Sequence, residues 1–446
     1  MQSKITTLYF LFFISLSQSL FSQNTLGYTE PDVHYRNGVE LYEKSNYAAA
    51  RQEFKTFIEK RSSLFNSNDY NAIAAEYYIA ICGLYSNDPD AELLVDRFVR
   101  NHPEHPKSAV IYTDLGTYYF DKADYDNAIT YLEKALKTNQ NYNLQNDTKY
   151  KLALSYYSTQ QFKPALALFN VLKKDPDTKF FATSAYYAGV IQYQSNDYDG
   201  AIKSFKLIEN NPQYKADMPN WIVATLFRTG RYDEMLAYAE PILKNQKGGG
   251  IKLNDVALYV AEVYYNRADY ATAATNYALF NKYKVAKMPS ATQFRYGHSL
   301  FKTNNYTAAA DQLKAVANTK DTLGQYGSYL LGISQLQNKN PQAALIAFDQ
   351  SARLNFNKSI KEESSFNHAK LNLDQGNTNA AIGELQEFMK NYAGSIYEKD
   401  AQKLLIRAFT SANNNAAAIG YIEGLKKIDD DFKMAYQRLT YNQGIS

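Results

Sequence analysis

Small residues return along this chain at an almost constant interval. Taking one apolar position as anchor gives Ala50, Ala128, Ala165, Ala201, Met235, Ala273, Ala309, Ala344, Ala381 and Ala417, with Met235 the one larger residue. From Ala128 onward the successive gaps are 37, 36, 34, 38, 36, 35, 37 and 36 residues. A segment that short holds one pair of helices and cannot bury its own apolar faces, so such a chain folds only by stacking each unit on its neighbours. The longer gap from Ala50 to Ala128 leaves room for a divergent unit around Tyr77 to His102, with a turn at Ser86-Asn87-Asp88-Pro89 and Ala91 as its small residue. The pattern therefore predicts about eleven units.

The stretch Val110 to Gln140 shows the unit most clearly. Tyr112, Leu115, Gly116 and Tyr119 fall three and four apart, on one face of a first helix. Ala128, Ile129, Leu132 and Ala135 do the same for a second. Ala123-Asp124-Tyr125 interrupts them, with Asp124 placed to accept from free backbone N–H groups at the second helix's start. Gly116 and Ala128 allow the two backbones to approach where the helices cross. The first-helix packing position recurs as Gly38, Gly116, Ala153, Gly189, Ala261, Gly297, Gly332 and Ala369. The turn acceptor recurs as Asn46, Asp124, Asp197, Asp269, Asn305, Asn340, Asn377 and Asn413, while Gln161 and Arg231 break that rule.

This unit resembles the tetratricopeptide repeat: aromatic-x2-Leu-Gly-x2-Tyr, then a small residue, Tyr, Ala and a large apolar residue, here Tyr112, Leu115, Gly116, Tyr119, Ala123, Tyr125, Ala128, Leu132 and Ala135. The resemblance implies an all-α, right-handed α-solenoid of antiparallel helix pairs, a superhelix with a concave face. Two loops, Phe98 to Ala109 and Phe388 to Ala401, are similar to those of bacterial envelope repeat proteins such as outer-membrane assembly and Tol–Pal coordinator proteins. That similarity speaks of compartment and names no partner.

Residues 1–22 read as a signal peptide ahead of an array over 23–446. Lys4 precedes an apolar run from Leu8 to Ile14, continuing to Leu20-Phe21, with small polar residues near the end. The run is too short and too interrupted by Ser and Gln for a comfortable membrane span, though an uncleaved anchor is the alternative. Export to the periplasm or cell envelope of a Gram-negative bacterium is the expectation. At the other end, Asp429 to Ser446 reads as one more first helix, with Met434, Ala435, Leu439 and Tyr441 as its stripe and Gly444 as its packing position. The half-unit is expected to continue in a longer protein, the alternative being that it caps the array.

Composition excludes several classes. The chain has 446 residues and a net charge of +3, which gives no electrostatic case for nucleic acid or an anionic membrane. The lone Cys82 rules out an intramolecular disulfide and sits on a stripe with Tyr78, Ile81 and Tyr85, as a small buried hydrophobe would. The five histidines are scattered; His102 and His105 lie close but lack the further ligands of a metal site, and His298 and His368 fall on first helices. Lys247-Gly248-Gly249-Gly250 has no strand before it and no Ser/Thr after it, so it is a connector and not a phosphate loop. Asp429-Asp430-Asp431 lacks the spacing of a calcium loop. No catalytic motif appears, so neither enzyme nor cofactor is expected.

What remains is surface. Forty tyrosines stand against one tryptophan. In tetratricopeptide proteins the residue after the packing aromatic, and the one seven further on, face the concave side. The resemblance places Tyr150, Tyr157, Tyr186, Tyr193, Phe294, Phe301 and Tyr329 there as an aromatic-rich partner-binding groove, with Tyr35/Tyr42 and Leu336 in the same register. The expected partner is a protein, presented as an extended peptide or a helix. The competing expectations are contact between neighbouring first helices and, as a function, glycan binding by an envelope protein. Sugar platforms favour Trp, and Trp221 stands alone.

Overall fold

The computed structural model describes residues 32–61, 69–138, 142–245, 253–283, 286–425, 428 and 430–445. The signal-peptide reading and the Lys247–Gly250 connector lie outside them. Among the described residues there are 23 helices and no strand. They group into two compact units, one ending at Tyr214 and one beginning at Lys215.

In the first unit the pairs begin with α1 (Val33–Glu43) and α2 (Tyr47–Arg61), then α3 (Tyr70–Tyr85) and α4 (Ala91–Asn101). Next come α5 (Pro106–Asp121) with α6 (Tyr125–Thr138), α7 (Tyr142–Ser158) with α8 (Phe162–Leu172), and α9 (Phe181–Gln194) with α10 (Tyr198–Lys206). The second unit opens with α11 (Met218–Arg228) and α12 (Tyr232–Lys244), α13 (Asn254–Asn266) and α14 (Tyr270–Tyr283), and α15 (Ser290–Lys302) and α16 (Tyr306–Ala317). It continues through α17 (Thr322–Gln337) with α18 (Pro341–Arg353), α19 (Lys358–Asp374) with α20 (Thr378–Asn391), and α21 (Glu398–Ser411) with α22 (Asn415–Glu423), and α23 (Asp430–Ile445) follows. Within each unit every helix packs on the next, and first helices of successive pairs also touch, as α3 does α5 and α17 does α19. Each unit is thus an α-solenoid of paired helices.

One crossing geometry repeats. A Cβ built on Gly38, Gly116, Gly189, Gly297 or Gly332 would meet the side chain sixteen residues later, respectively Phe54, Leu132, Phe205, Leu313 and Phe348, at 2.5 to 2.8 Å. The glycine is the socket for that fully buried side chain. The pair α11–α12 reverses the sizes: Val223 occupies the glycine position and Ala239 the large one, both fully buried, beside the buried Met235. The volume between the helices is kept while its source moves across the crossing, which is how close-packed cores tolerate change.

The turn inside every pair is also the same. Its left-handed residue is Ser45, Asn87, Ala123, Gln160, Asn196, Gly230, Ala268, Asn304, Lys339, Gly376 or Asn413, one in each of the eleven described hairpins. In each hairpin the N–H of the following residue bonds the carbonyl five residues back, as in Asp124 to Tyr119 at 2.9 Å and Asn340 to Gln335 at 2.8 Å. This Schellman arrangement satisfies carbonyls left over at the first helix's end and reverses the chain in a few residues. In six of the described hairpins the Asx residue that follows then accepts from the new helix, as Asp197 Oδ1 does from the Gly200 N–H at 3.0 Å and Asp269 Oδ1 from Thr272 at 3.1 Å. Asn377 departs from this, donating instead to Asn372 Oδ1 at 3.0 Å.

Two register readings need correction. In the last pair the left-handed residue is Asn413, the cap is Asn414, which accepts from the Ala417 N–H at 3.1 Å, and the fully buried small residue is Ala418. The expected Asn413 and Ala417 are one position early, because the run Asn413-Asn414-Asn415 followed by three alanines offers every register equally. In α23 the buried stripe is Phe432 and Leu439, with Ala435 and Tyr436 packed beside them. Met434 and Tyr441 are 62% and 69% exposed, and Gly444 has nothing within 4 Å of its built Cβ.

Candidate functional site

The aromatic positions singled out on the first helices lie in two groups, one in each unit. All seven are half-buried. In the first unit Tyr150 stacks on Phe180 with centroids 4.5 Å apart, and Tyr186 stacks on Tyr214 at 5.2 Å. Tyr157 meets Tyr187 edge-on at 4.9 Å, which links α7 to α9. In the second unit Phe294 lies parallel to His298 at 5.9 Å, and Tyr329 donates its hydroxyl to Glu363 on the next first helix.

Three of the seven also take part in a local device that spacing did not reveal. Tyr157, Tyr193 and Phe301 each meet, edge to face, the ring five residues later that opens the second helix: Phe162, Tyr198 and Tyr306. The same clasp joins Tyr42 to Tyr47, Phe120 to Tyr125, Phe227 to Tyr232 and Tyr265 to Tyr270. Across these seven turns the centroids stand 5.6 to 6.0 Å apart with interplanar angles of 59° to 75°. Each clasp straddles the left-handed residue, so part of the chain's tyrosine content serves its turns.

Polar groups between first helices complete the surface. In the first unit Tyr77 on α3 donates to Asp114 on α5, and the Lys107 ammonium lies 4.6 Å and 4.7 Å from the ring centres of Tyr77 and Tyr78. Burial pushes the Asp114 carboxyl up to about 6, against the Tyr77 bond and the Lys107 and Lys151 charges, which pull it down. In the second unit the buried Glu262 accepts from Tyr277 at 2.9 Å and pairs with Arg295 on α15. Tyr265 Oη lies 2.9 Å from His298 Nδ1, and burial lowers the pKa of that histidine. Asp114, Glu262 and Arg295 escaped the sequence reading because they do not recur and the partners that tie them together, Tyr77 with Asp114 and Glu262 with Arg295, lie more than thirty residues apart on successive helix pairs, as expected where each repeat contacts its neighbours.

The histidines read from sequence are placed as follows. His105 caps α5, its Nδ1 accepting from the Lys107 N–H at 3.1 Å, and His102 lies 3.0 Å from Glu76. His368 Nδ1 lies 3.1 Å from Glu384, a second-helix residue of its own pair, and His298 belongs to the aromatic group just described. Cys82 is fully buried, and burial raises its thiol to about 12. Among the described residues no three His, Cys, Asp or Glu side chains converge as metal ligands, and no helix is long and apolar enough to cross a membrane.

Among the described residues, eleven helix pairs joined by one kind of turn define a helical repeat scaffold. Residues 294–355 match the model of the tetratricopeptide repeat, and residues 121–207 match the model of the anaphase-promoting complex (cyclosome) subunit 3. Among solved structures this chain is similar to a chain of "Structure of Naa15/Naa10 bound to HypK-THB", at 14% identity and a TM-score of 0.41 over 83% of this chain. It spans 61% of that chain's length. It is also similar to a chain of "Crystal structure of APC/C hetero-tetramer Cut9-Hcn1", at 11% identity and a TM-score of 0.26, covering 94% of this chain and 91% of that one.

Proposed function

We propose that this protein is an exported scaffold that binds a protein partner in the cell envelope through the aromatic face of its first helices, without catalysis. The observation that carries this reading is the recurrence of half-buried rings at equivalent first-helix positions, with Tyr150, Tyr157, Tyr186 and Tyr193 on the adjacent helices α7 and α9. Ring edges beside hydroxyls offer large, stiff contact area with hydrogen-bonding ends, which suits an extended peptide or a partner helix. The apolar run at Leu8–Ile14 behind Lys4 supports export.

The test replaces Tyr150, Tyr157, Tyr186 and Tyr193 together by alanine and compares capture from an envelope extract with that of the wild-type chain, with helicity measured by circular dichroism. Loss of a specific protein from a folded variant is expected. Retention of the same protein at unchanged affinity rules out this face. A glycan array run alongside separates the competing reading, and specific saccharide binding lost in the same variant would replace the protein partner by a sugar. Fractionation of cells expressing the full chain tests export, and recovery in the cytoplasm alone would refute it.

A further inference from the structure

Helices α21 and α23 line a cleft of about 440 Å³ that shares no residue with the seven aromatics. Its floor is apolar, made by Ile406 of α21 and by Phe432 and Leu439 of α23, all buried. Met434 stands at its mouth, 62% exposed. The rim is cationic. Lys403 and Arg407 rise from α21 and Arg438 from α23, against the single lining carboxylate of Asp431.

The three cations are not equivalent. Lys403 Nζ holds Asp431 at 2.7 Å, and Arg407 pairs with Asp374 one pair back. Arg438 is exposed and has no ion pair or hydrogen bond among the described residues. A guanidinium left free beside an apolar floor provides the two things needed to hold an anionic, partly apolar ligand. The floor desolvates a side chain, and the planar N–H fork takes a carboxylate in bidentate fashion.

We propose that this cleft docks an acidic peptide segment through one bulky apolar side chain, which fills the space over Phe432 and Leu439 while a neighbouring carboxylate pairs with Arg438. The volume suits one Leu or Phe side chain with its flanking backbone, and the excess of cations over carboxylates in the lining sets the sign of the partner's charge. A basic or neutral segment would leave Arg438 unpaired and gain only the floor.

The probe is a short labelled peptide with one Phe among aspartates, read by fluorescence anisotropy on the full chain. Its counterparts replace the aspartates by asparagines or the Phe by alanine. The acidic peptide is expected to bind, each counterpart to bind more weakly, and added salt to weaken the acidic peptide alone. Arg438→Glu, at an exposed position that leaves the fold intact, should lower its affinity about tenfold or more. Met434→Glu, at the mouth of the same cleft, should act in the same direction. The fourfold alanine variant at Tyr150, Tyr157, Tyr186 and Tyr193 should bind the peptide as the wild type does, which separates this site from the aromatic face. Equal binding of the Asp and Asn peptides, or unchanged affinity in Arg438→Glu, overturns the proposal. So does sedimentation showing that the chain dimerises through this cleft, since a second copy would then be its occupant.

Discussion

Gly189 lies directly under the ring of Phe205: a methyl group built on the glycine would come 2.5 Å from the ring's Cε1 atom. Phe205 is fully buried. Helix propensity favours alanine over glycine by about 1 kcal/mol, but overpacking a tight crossing costs about 1–3 kcal/mol, so packing decides the sign. Gly189→Ala should lower stability. Gly383 in α20 has nothing within 4 Å, so there propensity acts alone and Gly383→Ala should raise stability by up to about 1 kcal/mol. Urea denaturation of the two variants checks both. Equal shifts of the same sign would mean that the glycine crossing is not tight.

The turns offer a second opposition. Ala123 and Ala268 hold φ of 58° and 60°, a region that costs an L-residue about 1–2 kcal/mol. Ala123→Gly and Ala268→Gly should each stabilise the chain by about 1 kcal/mol, since glycine removes that strain while loosening the unfolded chain. The reverse change at Gly376, with φ of 81°, should destabilise it by a similar amount. Thermal denaturation reads the difference, and a neutral Ala123→Gly would place the strain elsewhere.

The clasp across each turn should have a measurable energy. Phe301 and Tyr306 meet with centroids 5.7 Å apart at 72°, a geometry that contributes about 0.5–1.5 kcal/mol beyond burial. A double-mutant cycle with Phe301→Leu and Tyr306→Leu should return a coupling of that size. Zero coupling would leave Phe301 free of a structural duty.

Stability should also depend on acid through Asp114. Its carboxyl titrates near 6 in the folded chain against about 4 when unfolded, so the folded state binds the proton more tightly. Its contribution is therefore full below about pH 4 and is lost as pH rises through about 6. His105, whose pKa burial lowers, works in the opposite sense, because protonation removes the acceptor that caps α5. Asp114→Asn should remove a negative slope of at most about 1.4 kcal/mol per pH unit between those limits. Denaturation at a series of pH values in both chains checks it; parallel curves would show that Asp114 is solvated.

The sequence by itself determined the unit, its length and its crossing residues, because a helical stripe and a small residue at a fixed offset are local chemistry repeated many times. Gly116 and Ala128 could be placed without coordinates for that reason. Where local chemistry was degenerate it failed: three asparagines followed by three alanines hide a one-residue shift, and only contact with the neighbouring helix selects Ala418 over Ala417. Tertiary structure alone settled which face of α23 is buried, since Phe432 and Leu439 pack on the preceding pair while Met434 and Tyr441 are mostly exposed. It alone joined Tyr77 to Asp114 and Glu262 to Arg295, pairs more than thirty residues apart whose meeting depends on how one first helix lies on the next. A repeat writes its interior into every copy, whereas contacts between copies depend on two sequences at once and are set only when the stack has formed.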